Sequence, residues 1–165
     1  MHLAYSIIVS PLGPVFAAET RQGLFSVTLG DDGLQRLLHF ARRWHPDAQV
    51  VPTVIDSSTQ LEEYFAGTRQ GFELEFDLRG TDFQIEVWRA LSAIPYGRTL
   101  TYGEIAGSLG RPRAARAVGQ ACGANPIPVV APCHRVLRSE GALGGYGSGL
   151  HWKEWLLAHE KRVAG

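Results

Sequence analysis

The sequence predicts an α+β fold in which a β-rich N-terminal part, residues 1–79, precedes a mainly helical C-terminal part, residues 80–165. Apolar and polar residues alternate in three segments before residue 30, as half-buried strands require. Beyond Gly80, apolar residues recur every three or four positions, and two capping boxes mark helix starts. A chain of 165 residues suits one domain, or one domain with a smaller one attached.

In the N-terminal part, three strands are predicted first, separated by turns that contain Pro or Gly; they span residues 3–9, 15–19 and 24–29. Apolar residues at helical spacing between Leu34 and Trp44 then predict a helix. A second, shorter helix is expected around residues 61–65. Alternation over residues 72–78 predicts one more strand.

The C-terminal part contains a predicted helix-turn-helix. Capping boxes at Thr81 and Thr101, each with Gln or Glu three residues later, open two helices. The second of these leads through a turn that contains Gly110 and Pro112 into a further helix, which begins at Arg113. The predicted helices of this part span residues 81–91, 101–109, 113–122 and 152–159.

Composition excludes several classes of protein. No apolar run approaches the about 20 residues that a membrane span needs, and no basic, apolar leader follows Met1. Cys122 and Cys133 are too few for a disulfide framework, so we expect two free thiols and a cytoplasmic location.

The net charge of zero divides into −4 for residues 1–80 and +4 for residues 81–165. The six arginines of residues 98–138 form either a phosphate-binding surface or a solvated face.

Cys133 is the strongest candidate for a reactive side chain. It is followed by His134, and an imidazole can convert a neighbouring thiol into the nucleophilic thiolate. Three prolines between residues 126 and 132 predict a stiff, turn-rich support for it. The alternative is a small buried hydrophobic residue.

The second helix of the helix-turn-helix is almost entirely Ala and Gly, apart from Arg113 and Arg116. So little side-chain volume allows a close approach of the helix backbone to a partner. Both tight packing between helices and insertion into a groove of DNA explain this composition.

Several motifs together resemble the methylated-DNA–protein-cysteine methyltransferases. They are Arg116-Ala-Val-Gly119, Asn125-Pro126, Pro132-Cys-His-Arg-Val136, Gly145-Tyr146 and Lys153-Glu-Trp-Leu-Leu-Ala-His-Glu160. The likeness is strong from residue 80 to residue 160 and weaker before it. It implies an N-terminal three-stranded antiparallel sheet with helices, and a C-terminal domain with a winged helix-turn-helix.

The resemblance implies direct repair of O6-alkylguanine in DNA, with O4-alkylthymine left open as a second substrate. The damaged base is flipped out, and its alkyl group passes irreversibly to Cys133 in a single turnover. His134 would accept the thiol proton through a water, and Glu160 would orient the imidazole, as a carboxylate does in a catalytic triad. Asn125 would connect the turns beneath the site to the second helix of the helix-turn-helix, which is the recognition helix. No cofactor is implied.

The resemblance also implies how double-stranded DNA is bound, through the minor groove and with little sequence preference. Arg116 would fill the space that the flipped base leaves, and Tyr102 would donate a hydrogen bond to a guanine ring nitrogen. The further DNA-binding residues would be Thr101, Arg113 and Ala115. The base pocket would be lined by Pro128, Val136, Tyr146, Gly147 and Ser148. A monomer is expected in solution, with cooperative assembly on DNA left open.

The chain departs from the family pattern at a few positions. Ser148 stands where several relatives have glycine, which would add a side chain to the pocket. Ala131 replaces a larger aliphatic residue, and Cys122 is expected to be structural. No cysteine precedes residue 122, so the zinc site of some relatives is not expected and no metal is predicted.

Three other functions compete with repair. Relatives that only recognise alkylated bases carry tryptophan in place of the reactive cysteine, which Cys133 argues against. A Cys-His-Glu hydrolase would turn over repeatedly, but it leaves the Ala- and Gly-rich helix unexplained. A helix-turn-helix regulator would explain the basic residues but not the Cys-His pair.

Overall fold

The computed structural model describes the whole chain, Met1–Gly165. The chain folds into two compact units, Met1–Arg79 and Gly80–Gly165. The first unit is a sheet with two helices, and the second is mainly helical, so the predicted α+β class is confirmed. None of the helices has both the length and the apolar character required to cross a membrane.

The first unit is built on a four-stranded sheet in the order β3-β2-β1-β4. The three predicted antiparallel strands are present as β1 (His2–Ser10), β2 (Gly13–Thr20) and β3 (Gly23–Leu29). A fourth strand, β4 (Gln49–Pro52), pairs in parallel with β1 and is an addition to the prediction. Four residues are too few for alternation to be recognised in the sequence.

The two predicted helices of this unit are α1 (Gly33–Trp44) and α2 (Asp56–Ala66). Helix α1 covers the sheet with Leu37 and Ala41, which join Leu3, Phe16 and Phe25 in one buried apolar cluster. Burial of such side chains is the main source of stability for the unit.

The prediction of a strand over residues 72–78 is wrong. The segment makes one isolated parallel bridge, between Phe76 and Leu24. A Cβ at Gly23 would lie 2.3 Å from the Glu75 carbonyl oxygen, so the close approach of the two backbones requires glycine there. The segment is held by the buried Asp77, which accepts hydrogen bonds from Thr20 (2.7 Å) and Arg79 (2.8 Å). Two backbone bonds also attach it, from Leu24 N–H to the Glu75 carbonyl (2.9 Å) and from Asp77 N–H to the Leu24 carbonyl (2.8 Å), without a continuous strand ladder.

The second unit begins with α3 (Asp82–Leu91), whose capping box at Thr81 is complete. The second capping box, at Thr101, starts α4 (Tyr102–Ser108). Helix α5 (Ala115–Gly123) starts two residues later than predicted, because residues 111–114 form a turn in which Ala114 N–H donates to the Arg111 carbonyl. The Trp88 indole donates to the Ala121 carbonyl (2.8 Å) and connects α3 to α5.

The remaining elements complete a winged helix-turn-helix. Strands β5 (Leu100–Thr101) and β6 (Val136–Leu137) pair in parallel, and a 3₁₀ turn, Cys133–Arg135, precedes β6 directly. A tight turn follows β6, in which Arg138 N–H donates to the Ala142 carbonyl (2.9 Å). Helix α6 (Leu150–Ala164) extends beyond the predicted residues 152–159 at both ends.

Candidate active site

Cys133 lies on a rigid turn. The Asn125 side chain donates to the Ala131 carbonyl (2.8 Å) and accepts from Ile127 N–H (3.0 Å), which closes the segment before the cysteine. Cys133 N–H donates to the same Ala131 carbonyl (2.8 Å). Val129 has a φ of 75°, the one positive value outside glycine. The proline-rich support is therefore fastened by hydrogen bonds as well as by restricted backbone angles.

Beside this turn lies a cavity of about 620 Å³, which the Cys133 side chain lines although it is only 6% exposed. Helices α4 and α5 form one part of the lining, and residues 138–147, hereafter the 138–147 loop, form another. Gly119 of α5 lies against the Tyr102 ring, where a Cβ would be 3.9 Å away. The Ala- and Gly-rich helix thus packs within its unit and also leaves room for the cavity.

Directly after Cys133, two buried side chains meet one carboxylate. His134 Nε2 lies 2.7 Å from Glu160 Oε2. Arg135 donates to both Glu160 oxygens, from Nε at 2.8 Å and from Nη2 at 2.9 Å, and a third Arg135 bond reaches the Ile94 carbonyl (2.7 Å). The contact to Glu160 fixes Nε2 as the protonated ring nitrogen. His134 Nδ1 is buried and makes no hydrogen bond within the protein, so it remains the proton acceptor.

The thiol and the imidazole are both neutral at rest. Burial raises the pKa of Cys133, and hydrogen bonding from Asn125 together with the charge of Lys153 and the facing Tyr146 hydroxyl offsets only part of this. Burial lowers the pKa of His134, against the effect of Glu160. Burial acts to raise the pKa of Glu160, but the bonds from His134 and Arg135 hold it well below its ordinary value. A thiolate at neutral pH therefore requires a group that accepts the Cys133 proton.

Many of the predicted site residues meet at this cavity. Those that line it are Tyr102, Ala115, Arg116, Cys133, Tyr146 and Gly147. Gly144 has a φ of 72°, and a Cβ there would come within 3.2 Å of the Tyr102 hydroxyl, so glycine keeps the 138–147 loop close to that ring.

The other predicted pocket residues, Pro128, Val136 and Ser148, do not line the cavity. Val136 is fully buried in β6, where its carbonyl accepts a hydrogen bond from Lys153 (2.8 Å). Thr101 and Arg113 also lie outside the lining. Thr101 is occupied as the N-cap of α4, and Arg113 is exposed in the turn before α5.

The structure adds residues that the sequence prediction missed. Arg135 binds the Glu160 carboxylate together with His134, Arg138 lines the cavity, and Lys153 is buried and bonded to the 138–147 loop. Cys122, which was expected to be structural, also lines the cavity. A signal for Lys153 was present: it precedes Glu160 by seven residues and so shares its helix face. Nowhere do three or more His, Cys, Asp or Glu side chains gather as a metal ion would require.

We expect Glu160→Gln to lower the free energy of unfolding by about 3 kcal/mol, because it leaves the buried Arg135 without its counter-charge. Since the pKa of Glu160 is depressed in the folded protein, its stabilisation is present above its ordinary pKa of 4.5 and is lost as the pH falls. Urea unfolding as a function of pH measures both effects. Glu154→Gln, an exposed change on the same helix, is the control, and equal stability of the two variants would contradict the expectation.

Comparison with known proteins agrees with this geometry. A family model described as "6-O-methylguanine DNA methyltransferase, DNA binding domain" matches residues 82–162, and one described as the ribonuclease-like domain of the same methyltransferase matches residues 3–78. The chain is 48% identical over 161 residues to a methylated-DNA–protein-cysteine methyltransferase of Mycobacterium tuberculosis, covering 97% of this chain and 93% of the relative. A relative of that name from Methanosarcina barkeri is 44% identical, with 95% and 96% covered.

Solved structures show the same fold. A crystal structure of Mycobacterium tuberculosis OGT in complex with DNA superposes with a TM-score of 0.84 at 43% identity, covering 97% of this chain and 94% of that chain. The thiol-lined cavity lies in the part of the chain that matches the DNA-binding domain, and the likeness extends over almost the full length of both chains. The chain is therefore a member of the methylated-DNA–protein-cysteine methyltransferase family.

Proposed function

We propose that the protein repairs O6-alkylguanine in DNA by transferring the alkyl group irreversibly to Cys133. The observation that carries this proposal is the position of the Cys133 thiol. It lines a cavity beside the helix-turn-helix and is directly followed by the buried His134–Glu160 pair. Small-molecule sites occupy about 300–1,000 Å³, so a cavity of about 620 Å³ has room for one extrahelical base.

The reaction is a displacement at the alkyl carbon. The Cys133 proton passes to His134 Nδ1 through a water, and Glu160 stabilises the imidazolium that forms. The thiolate attacks the carbon in line, and the S–C bond forms as the C–O6 bond breaks with its electron pair leaving on guanine. Guanine takes up one proton from water, and the His134 imidazolium releases the proton that it received from Cys133. No group in the site hydrolyses a thioether, so each molecule acts once.

The cavity residues have complementary roles in base binding. Burial raises the pKa of Tyr102, so its hydroxyl stays protonated and can donate to a guanine ring nitrogen. Tyr146 and Gly147 line the cavity close to the thiol, and Asn125 holds the turn that presents it. Cys122, whose pKa burial raises to about 12, stays a neutral part of the lining.

DNA is bound by the helix-turn-helix unit through the minor groove. Arg116 is exposed at the cavity, where it can enter the base stack as the damaged nucleotide leaves. Ala115 allows close approach, while Arg113 and Thr101 contact the backbone on either side. Flipping costs a few kcal/mol, which the stacked guanidinium partly offsets. Such contacts read few base edges, so sequence preference is low.

The two units have separate roles, and the protein works in the cytoplasm. Residues 80–165 form the DNA-binding and alkyl-transfer domain, and residues 1–79 form a separate α/β domain. Both cysteines are free thiols, which supports work in the reducing cytoplasm. The protein acts as a monomer that binds double-stranded DNA.

A duplex that carries one labelled O6-methylguanine tests the function. Mixed with excess duplex, the protein should accept at most one labelled methyl group per molecule, and peptide mapping should find it on Cys133. Continued turnover beyond one equivalent would instead indicate a Cys-His-Glu hydrolase, and binding without transfer would indicate a recognition protein.

The two capping threonines offer a matched test of DNA contact. Thr81→Ala and Thr101→Ala should each cost about 1 kcal/mol of stability, because each removes an N-cap. Only Thr101→Ala should also weaken duplex binding, since we assign only Thr101 to the DNA-binding surface. Urea unfolding and fluorescence anisotropy with a labelled duplex measure the two effects. Equal affinities of the two variants would remove Thr101 from the DNA-binding surface.

A further inference from the structure

Lys153 is a fully buried cation on α6, the helix that also carries Glu160. It is one of only two lysines among the 16 Lys and Arg residues of the chain, and the other, Lys161, is exposed on the same helix. Removing an ammonium group from water is costly unless hydrogen bonds and charge compensate. The groups around Lys153 should therefore supply hydrogen bonds and a charge interaction that compensate for its burial.

The Lys153 ammonium donates to three backbone carbonyls. They belong to Val136 (2.8 Å), Leu143 and Gly145 (3.4 Å). A neutral amine has only two N–H groups, so three acceptors correspond to the charged ammonium form. All three carbonyls follow Cys133 in the chain, two of them in the 138–147 loop that lines the cavity.

These bonds connect Lys153 to both sides of the thiol. Val136 N–H donates to the Cys133 carbonyl while the Val136 carbonyl accepts from Lys153, so the 3₁₀ turn is joined to the ammonium through one residue. On the other side, Gly145 directly precedes Tyr146, whose hydroxyl faces the sulfur. Displacing Lys153 would release both contacts at once.

Apart from His134, which accepts its proton, the other ionisable groups that interact with Cys133 differ in charge from Lys153. Cys122 of α5, Tyr102 of α4 and Tyr146 of the 138–147 loop are neutral or become negative on ionisation, whereas Lys153 is positive. Burial lowers the pKa of Lys153, and interaction with Cys133 and Cys122 acts against this. The same interaction lowers the pKa of Cys133 within a site where burial raises it.

We propose that Lys153 is a positioning residue for the reaction: its buried ammonium stabilises the Cys133 thiolate and holds the 138–147 loop against it. The inference rests on the proposed function in taking Cys133 as the nucleophile. His134 removes the proton, and Lys153, held by the carbonyls of Val136, Leu143 and Gly145, supplies the fixed positive charge that interacts with the sulfur that remains. Lysine suits this place better than arginine, because a compact ammonium directs three protons to converging carbonyls.

The test is the pH dependence of Cys133 ionisation, measured by alkylation with iodoacetamide and peptide mapping to separate Cys133 from Cys122. In Lys153→Met, the pH midpoint of Cys133 labelling should rise by about one unit, since a nearby opposite charge is lost. Lys161→Met removes the exposed lysine of the same helix and should leave the midpoint unchanged. A merely structural role would change the labelling rate at every pH without moving the midpoint, and that result would overturn the proposal.

If Lys153→Met does not fold, the interaction between Lys153 and Cys133 can be measured in the unmodified protein by NMR. With lysine labelled by ¹³C at Cε, the protein gives only two lysine signals, which Lys161→Met assigns. The Lys153 signal should shift as Cys133 ionises, and this shift should disappear in Cys133→Ala; no shift in the unmodified protein would refute the interaction. Neither measurement uses DNA or an alkylated base, so each gives a result whether or not alkyl transfer is observed.

Discussion

Cys133→Ala will transfer no alkyl group from an O6-methylguanine duplex, leaving the label in DNA at the level of a protein-free control. The physical reason is that no other nucleophile is available at the cavity. Cys122 is the one other thiol in the lining, and burial raises its pKa to about 12, so it carries almost no thiolate at neutral pH. Gel separation of labelled protein from labelled DNA measures the loss.

Cys122→Ala is the matched control for this prediction. It removes a thiol from the same cavity and should still take up one methyl group per molecule. Duplex binding by Cys133→Ala should persist, because the arginines of the helix-turn-helix unit are unchanged. Residual transfer to Cys133→Ala would show that the acceptor lies elsewhere and would contradict the proposed function.

Arg116→Ala will slow repair of a duplex by about 10- to 100-fold, while reaction with free O6-alkylguanine base remains unchanged. Flipping a base out of a duplex costs a few kcal/mol, and each 1.4 kcal/mol corresponds to a tenfold change. Without a side chain to occupy the vacated space, that cost is no longer offset. The free base has no stack to leave, so its rate depends only on the cavity and the thiol. Single-turnover rates with the two substrates measure the contrast.

The control for Arg116 is Arg89→Ala. Arg89 is an exposed arginine on α3 that does not line the cavity, so its removal changes net charge by the same amount. It should slow duplex repair only slightly, through weaker long-range attraction that salt screens. Equal losses for Arg116→Ala on duplex and free base would show that Arg116 acts on the base within the cavity that it lines, and not in the base stack.

Local sequence signals predicted the elements of the second unit well. Both capping boxes, at Thr81 and Thr101, form as expected because each joins residues only three positions apart. The start of α5 was misplaced by two residues, since the turn around Pro112 continues to Ala114. In the first unit, β4 and the segment around Asp77 depend on pairing with residues far away in the chain, and no local pattern reports such pairing.

The amino-acid sequence by itself determined the family, the α+β class and the candidate nucleophile, because short motifs around Cys133 and periodic apolar residues carry that information locally. The resemblance implied that Glu160 orients His134, but only the tertiary structure decided that the same carboxylate also binds Arg135. It also left Pro128, Val136 and Ser148 outside the cavity lining and bonded Lys153 to the 138–147 loop that forms part of it. The reason is physical: side-chain partners far apart in sequence are selected by packing and by the need to pair every buried charge, which act only in the folded chain.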